Sequence, residues 1–216
     1  MLVNPMTFKQ ESGGGVGLPP LEIKDYSSTY AVPPTTGYEI TNGILTVHSL
    51  QSGLILPDIW DISDGETWEM GSKVTLAEGT TNYNPIIGAG SGSGSYYATV
   101  PSLQYYNTPK HFVLCVPSGN TSWRYIMETE HTYEAGDTYY VRGGWDGSEF
   151  YIDVSTDGIT WTRDATRVDS NPCYYHTTYR RLGLATVRGS DKFTAGTIDL
   201  TKTYIKINGV FVWGNA

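Results

Sequence analysis

The stretch Tyr139-Tyr140-Val141-Arg142-Gly143-Gly144-Trp145-Asp146-Gly147-Ser148-Glu149-Phe150-Tyr151-Ile152-Asp153-Val154-Ser155-Thr156-Asp157-Gly158-Ile159-Thr160-Trp161 decides the fold. Asp146-Gly147 and Asp157-Gly158 mark hairpin turns, because such dipeptides adopt the positive φ of type I′ turns, whose twist joins antiparallel strands. Two-residue loops pair Gly143 with Phe150, Val141 with Ile152, Tyr139 with Val154 and, across the second turn, Val154 with Trp161. Directly opposed residues share a face. Both turns therefore set Val141, Ile152 and Val154 inward, and Tyr140, Arg142, Glu149, Tyr151, Asp153, Thr160 and Thr162 outward. In this register Arg142 stands opposite Tyr151 and Tyr140 opposite Asp153. Two independent turns agree on one core, as a buried face demands. Ile152 would meet Arg163, so the third strand is expected to leave the ladder there.

Three further dipeptides extend the pattern: Asn42-Gly43, Asp64-Gly65 and Asn208-Gly209. Around Asn42-Gly43, Ile40 pairs with Leu45 and Tyr38 with Val47. Around Asn208-Gly209, Ile207 pairs with Val210, Lys206 with Phe211, Ile205 with Val212 and Tyr204 with Trp213. This gives an aliphatic face and a Tyr204/Lys206/Phe211/Trp213 face too apolar to be left bare. Other strands are read at 73–76, 96–100, 111–116, 124–129, 181–186 and 197–200. No segment carries a long 3.6-residue stripe, and short strands with one- and two-sided apolar patterns predict two packed sheets.

Composition bounds the rest. The chain has 216 residues with net charge −8; 39% are apolar, 17% charged and 13% aromatic, Tyr alone supplying 17. That length suits a single all-β domain, and so many aromatics with so little charge argue against disorder. An acidic chain without a Lys/Arg stripe is a poor partner for a phosphate backbone, so nucleic acid is not expected. Nothing approaches the roughly 20 apolar residues of a membrane span, and Met1–Phe8 has no basic leader, so neither insertion nor export is expected. Residues 1–20, with Gly13-Gly14-Gly15 and Pro19-Pro20, read as a flexible or partner-docked arm anchored by Leu2, Met6 and Phe8. Residues 21–35 read as a linker and 36–216 as the sandwich. Cys115 sits in an apolar run and reads as a buried thiol; a bridge to Cys173 stays open.

The run Tyr139–Arg142, Trp145–Ser148, Tyr151–Gly158, Phe193–Leu200 and Thr203–Gly209 resembles the concanavalin A-like lectin/glucanase (laminin-G-like) jelly roll carried by tail and surface proteins of tailed bacteriophages. The resemblance is close over about residues 136–214 and rests on strand rhythm over 36–135. It implies a curved two-sheet sandwich, often glycan-binding and often appended to virion fibres or to enzymes.

Chemical motifs are sparse. Glycoside hydrolysis needs two facing carboxyls, and the Glu-x-Asp-x-x-Glu strand of glucanases is missing; Glu128 and Glu130 share a face but lack the central Asp. His48, His111, His131 and His176 show no metal-ligand spacing, and no metal or other cofactor is expected, with a loop calcium near Asp153 and Asp157 the alternative left open. Sugars stack on aromatic planes while carboxylates and amides take their hydroxyls. The candidate carbohydrate-binding residues are therefore Tyr140, Arg142, Tyr151, Asp153, Tyr96, Tyr97, Tyr105 and Tyr106. The expectation is a non-enzymatic virion protein (fibre, tail or head decoration), made in the host bacterial cytoplasm. It would assemble as a homo-oligomer with other virion proteins and contact host-surface polysaccharide. A purely architectural decoration protein and, further off, a glycoside hydrolase or lyase using Glu128, Glu130 or Asp153 are the alternatives.

Overall fold

The computed structural model describes residues 22–25, 38–48, 52–55, 66–89, 100–117, 122–169, 182–187, 191–193 and 195–214. These residues are all β, with no helix. In chain order the strands are β1 (Glu22–Asp25), β2 (Tyr38–Thr41), β3 (Ile44–Val47), β4 (Ser52–Ile55), β5 (Trp68–Leu76), β6 (Tyr83–Ala89), β7 (Ser102–Tyr106), β8 (His111–Pro117) and β9 (Trp123–Glu128). They continue with β10 (Thr138–Trp145), β11 (Glu149–Ser155), β12 (Thr162–Val168), β13 (Leu182–Leu184), β14 (Thr186–Val187), β15 (Asp191–Lys192), β16 (Gly196–Ile207) and β17 (Val210–Gly214).

Two antiparallel sheets face each other. The seven-stranded sheet runs β1-β4-β13-β6-β7-β8-β9, and the eight-stranded sheet runs β12-β11-β10-β5-β16-β3-β2 with β17 beside β16. β14 and β15 form a small separate ribbon. The strand β1 lies within the stretch read as a linker and pairs with β4. Between the sheets, Met70, Val74, Val141, Phe150, Ile152 and Ile205 of the larger sheet meet Leu103, Tyr105, Phe112, Leu114 and Val116 of the smaller one, all buried. Val141, Ile152 and Val154 are sealed from water as expected. On the other face of the smaller sheet, Tyr106, Val113 and Cys115 form a second buried cluster with Trp123 packed against it. Cys115 is a free, buried thiol.

The turns divide by residue type. Asn42-Gly43 and Asn208-Gly209 have positive φ at both positions (52° and 81°, 50° and 76°), the type I′ signature. Tyr38↔Val47 and Ile40↔Leu45 pair as read from the sequence. The Asp-Gly turns behave differently. At the first, Gly147 (φ 108°) takes the leading central position with Ser148 behind it, the place a type II′ turn reserves for glycine. The Asp146 carboxylate accepts the backbone N–H of Ser148 and of Glu149, each at 3.0 Å. The loop is thus one residue further along, and the ladder pairs Trp145↔Phe150, Gly143↔Ile152 and Val141↔Val154. Faces are kept, but Arg142 meets Asp153 rather than Tyr151, and Tyr140 meets Ser155 rather than Asp153.

Two bulges correct further pairings. One between Ile152 and Asp153 absorbs the clash foreseen with Arg163: β12 stays in the ladder, Asp153 faces Arg163 and Ile152 faces Ala165. Trp161 leaves the inner face altogether. The other bulge, between Ile205 and Lys206, sets Trp213 opposite Ile205. Trp213 is therefore a core residue and Val212 is exposed, the reverse of the plain alternation. A bulge's extra residue flips every later side chain to the other face.

Candidate functional site on the outer face of the eight-stranded sheet

On the face turned away from the core, register alone builds three parallel rows that cross the strands. The first is Ser155–Tyr140–Lys73–Asp199. The second is Arg163–Asp153–Arg142–Gly71–Tyr204. The third is Thr166–Tyr151–Gly144–Glu69–Lys206–Phe211. The third row crosses six strands, roughly 24 Å at the usual strand spacing.

Glu69 is the hub. Its Oε2 accepts the Tyr151 hydroxyl at 2.6 Å, and its Oε1 accepts the Tyr204 hydroxyl at 2.8 Å and the Lys206 ammonium at 3.1 Å. Arg142 Nε lies 3.7 Å from Oε2. Burial pushes the Glu69 carboxyl up, but those hydrogen bonds and the Arg142 charge outweigh it and hold the group below the usual range. The two glycines make this geometry possible. A Cβ on Gly71 would stand 2.6 Å from the Tyr204 ring, and one on Gly144 would stand 2.2 Å from the Trp68 carbonyl oxygen and 3.1 Å from the Tyr151 hydroxyl. The phenols therefore lie down along the sheet instead of rising from it.

Asp153 is the second hub. Arg142 Nε donates to its Oδ2 at 3.0 Å, with Nη2 of the same guanidinium also 3.0 Å away, and Arg163 Nε donates to its Oδ1 at 2.5 Å. Arg163 also reaches Glu149 at 2.8 Å and Asp146 at 3.9 Å, and Lys73 meets Asp199 at 3.5 Å. Each cation also covers a ring: Arg142 over Trp161 and Arg163 over Tyr151 at 4.2 Å, Lys206 over Tyr204 at 4.7 Å and Phe211 at 4.6 Å, and Lys73 over Tyr140 at 5.6 Å. The four cations Lys73, Arg142, Arg163 and Lys206 thus face five carboxylates, Glu69, Asp146, Glu149, Asp153 and Asp199, and every cation is already paired.

No family model matches the chain, and no curated protein matches it in sequence. Solved structures share its fold. The enzymatically active domain of tailspike protein 2 of bacteriophage CBA120 aligns with 90% of this chain at TM-score 0.53 and 13% identity. A Trypanosoma rangeli sialidase in complex with the inhibitor DANA aligns with 90% at TM-score 0.52 and 13% identity. The chain spans only 30% and 28% of those two chains, respectively. At such identity the likeness is one of fold: a β-sandwich also found in glycan-acting proteins.

Tyr140, Arg142, Tyr151 and Asp153 come together on this face as the sequence implied. Two of the four are already engaged within the protein. Tyr151 is 6% exposed and lies beneath Arg163, so its ring is not open for stacking, and both Asp153 oxygens are engaged. Tyr105 and Tyr106 are 2% and 8% exposed. Tyr105 packs in the core against Phe112 with its hydroxyl on the Tyr133 carbonyl, and Tyr106 meets Cys115 on the other face of the smaller sheet. Neither offers a stacking surface, because β7 is buried on both sides. Tyr96, Tyr97, Leu2, Met6, Phe8 and the Asp64-Gly65 turn lie outside the described residues. Asp157, the other carboxylate of the calcium alternative, accepts the backbone N–H groups of Ile159 and Thr160 at 2.7 Å, closing its own turn.

The sequence reading missed Glu69, Trp161 and Arg163 as site members, together with Lys73, Asp199, Tyr204, Lys206 and Phe211. Glu69 draws its tyrosines from 82 and 135 residues away, which no local pattern reveals. A signal for Arg163 was present: a charged residue predicted to face Ile152 needed another place.

Proposed function

We propose that this chain is a non-enzymatic component of a tailed-phage particle whose sandwich domain holds host-surface glycan. The observation that supports it is the polar and aromatic network on the outer face of the eight-stranded sheet, where guanidinium, carboxylate and aromatic groups lie side by side. Arrays of this kind suit sugars, which offer hydroxyls at their rims and apolar ring faces between them. The β-sandwich fold shared with a phage tailspike domain and a sialidase supports a glycan-directed role. Absence of catalysis is part of the proposal. Glu128 sits on the smaller sheet with His111, whereas Asp153 sits on the larger one under two arginines, so these carboxyls do not converge. Glu69 is held deprotonated, opposite to what a general acid requires. Residues 1–20 would dock on a neighbouring virion protein, and the chain would assemble as a homo-oligomer.

Glycan-array screening of the wild type and of Arg142→Gln is the direct test. Signal on a host polysaccharide, weakened by the change, is expected; silence on every host glycan rejects the binding role. Release of reducing ends, lost in Asp153→Asn or Glu128→Gln, would reject the non-enzymatic role. The exposed edge formed by Val210, Phe211 and Val212 favours a second reading, an architectural contact with another particle protein. Trimming residues 1–20 should abolish incorporation into particles without unfolding the domain.

A further inference from the structure

Resting on the glycan-binding reading, we infer that the ligand of the outer face is an extended, uncharged polysaccharide laid across the strands, clasped between Trp161 and Phe211.

The exclusion of acidic sugars comes from charge pairing. Each cation on this face already has its carboxylate within 4.0 Å, and five carboxylates stand against four cations. An acidic sugar would have to take Arg142 or Arg163 from Asp153, whose carboxylate is 3% exposed, or approach a face with excess negative charge on a chain of net charge −8. Like-charge juxtaposition of that kind is a strong discriminator against a ligand. A neutral sugar meets no such barrier. Its hydroxyls can accept the guanidinium N–H groups that Asp153 leaves unused and donate to the remaining carboxylate lone pairs.

The extension comes from where the usable rings lie. Tyr151 is covered by Arg163, and Gly158 packs against the Tyr140 ring. Trp161 is half-buried over Arg142 on β10, and Phe211 is 43% exposed on β17. Between β10 and β17 lie three strand spacings, roughly 14 Å, further than one sugar ring reaches. Both rings can be used together only by a chain of several residues running along the rows, with Arg142, Glu69 and Lys206 beneath it.

The test measures binding of the intact chain to dextran and galactomannan, as neutral polymers, and to polysialic acid, hyaluronan and alginate, as acidic ones, at low and high sodium chloride. The expected result is binding to a neutral polymer that salt hardly changes. It should grow with oligosaccharide length and weaken at least about tenfold in Trp161→Ala and in Phe211→Ala. Trp161→Phe should recover most of the loss, and circular dichroism confirms that the variants fold. An acidic polymer bound through Arg142, lost in Arg142→Gln and in high salt, overturns the neutral-ligand inference and leaves the glycan-binding role standing. Neutral binding indifferent to both ring variants overturns the placement. Binding to none of the polymers, with silence on the host glycan array, removes the glycan-binding role itself.

Discussion

Arg142 and Asp153 stand directly opposite each other on β10 and β11, with the guanidinium Nε–H donating to one carboxylate oxygen and Nη2 within ion-pair distance of it, while Arg163 takes the other oxygen. Asp153 is thus a buried acceptor whose environment consists of donors. Asp153→Asn turns an acceptor oxygen into a donor amide facing a guanidinium. Its expected cost is about 1–3 kcal/mol. Urea unfolding should show a lower midpoint with an unchanged slope.

Gly71 and Tyr204 form a second testable pair. Gly71→Ala would push a methyl to within 2.6 Å of the ring and lift its hydroxyl from Glu69. The change should destabilise by about 1–3 kcal/mol and alter the near-ultraviolet dichroism. In a Tyr204→Ala background the same substitution should cost much less, and a double-mutant cycle measures the difference.

His131 gives the pH dependence. The hydrogen bond and charge of buried Asp164 raise its pKa above the ordinary 6.5, with Glu130 adding to the effect; His131 Nδ1 lies 2.6 Å from the Asp164 carboxylate. The pair's stabilisation is complete below 6.5 and is lost as pH rises through the higher folded value. The melting temperature should therefore fall between mildly acidic and mildly alkaline buffer, and His131→Gln should flatten that fall. At the acid end Asp157, held low by the backbone N–H groups of Thr160 and Ile159 and the Ser155 hydroxyl, contributes stability above the ordinary 3.8 that disappears as pH drops through its lower folded value.

Cys115 should be chemically silent. Burial pushes its thiol up to about 12, and the thiolate is the reactive form. Peptide mapping after iodoacetamide should find Cys115 unmodified in native protein and fully modified in denatured protein. Labelling of the native chain at Cys115 would contradict its place in the cluster with Tyr106 and Val113.

The sequence made the faces of the sheets legible more fully than their registers. Asn-Gly turns leave little choice, since both residues must take positive φ, and Ile40↔Leu45 followed directly. Asp146 instead uses its carboxylate to collect two backbone N–H groups, which moves the turn on by one residue and each pairing by two. Faces survive a shift of two, so Arg142 and Asp153 were placed on the correct side with the wrong neighbours. A shift of one does not survive, and the bulge before Lys206 carried Trp213 into the core. Among the candidate site residues, Tyr140, Arg142, Tyr151 and Asp153 were readable because one meander carries them all. The Glu69 hub was not, because its partners arrive on strands distant in sequence.

The long strand β16 pairs with β5 along both its halves, and its opposite flank carries β3 first and β17 afterwards. The midline of the larger sheet is thus closed by a segment that emerges from the ribosome more than a hundred residues after β5, at Gly196–Ile207. Until then β5 has one bare edge, and Met70 and Val74 lack the cover of Ile205 and Ile198. A nascent chain of this kind must wait in a partly assembled, sticky form until β16 has emerged, and slower synthesis lengthens that wait.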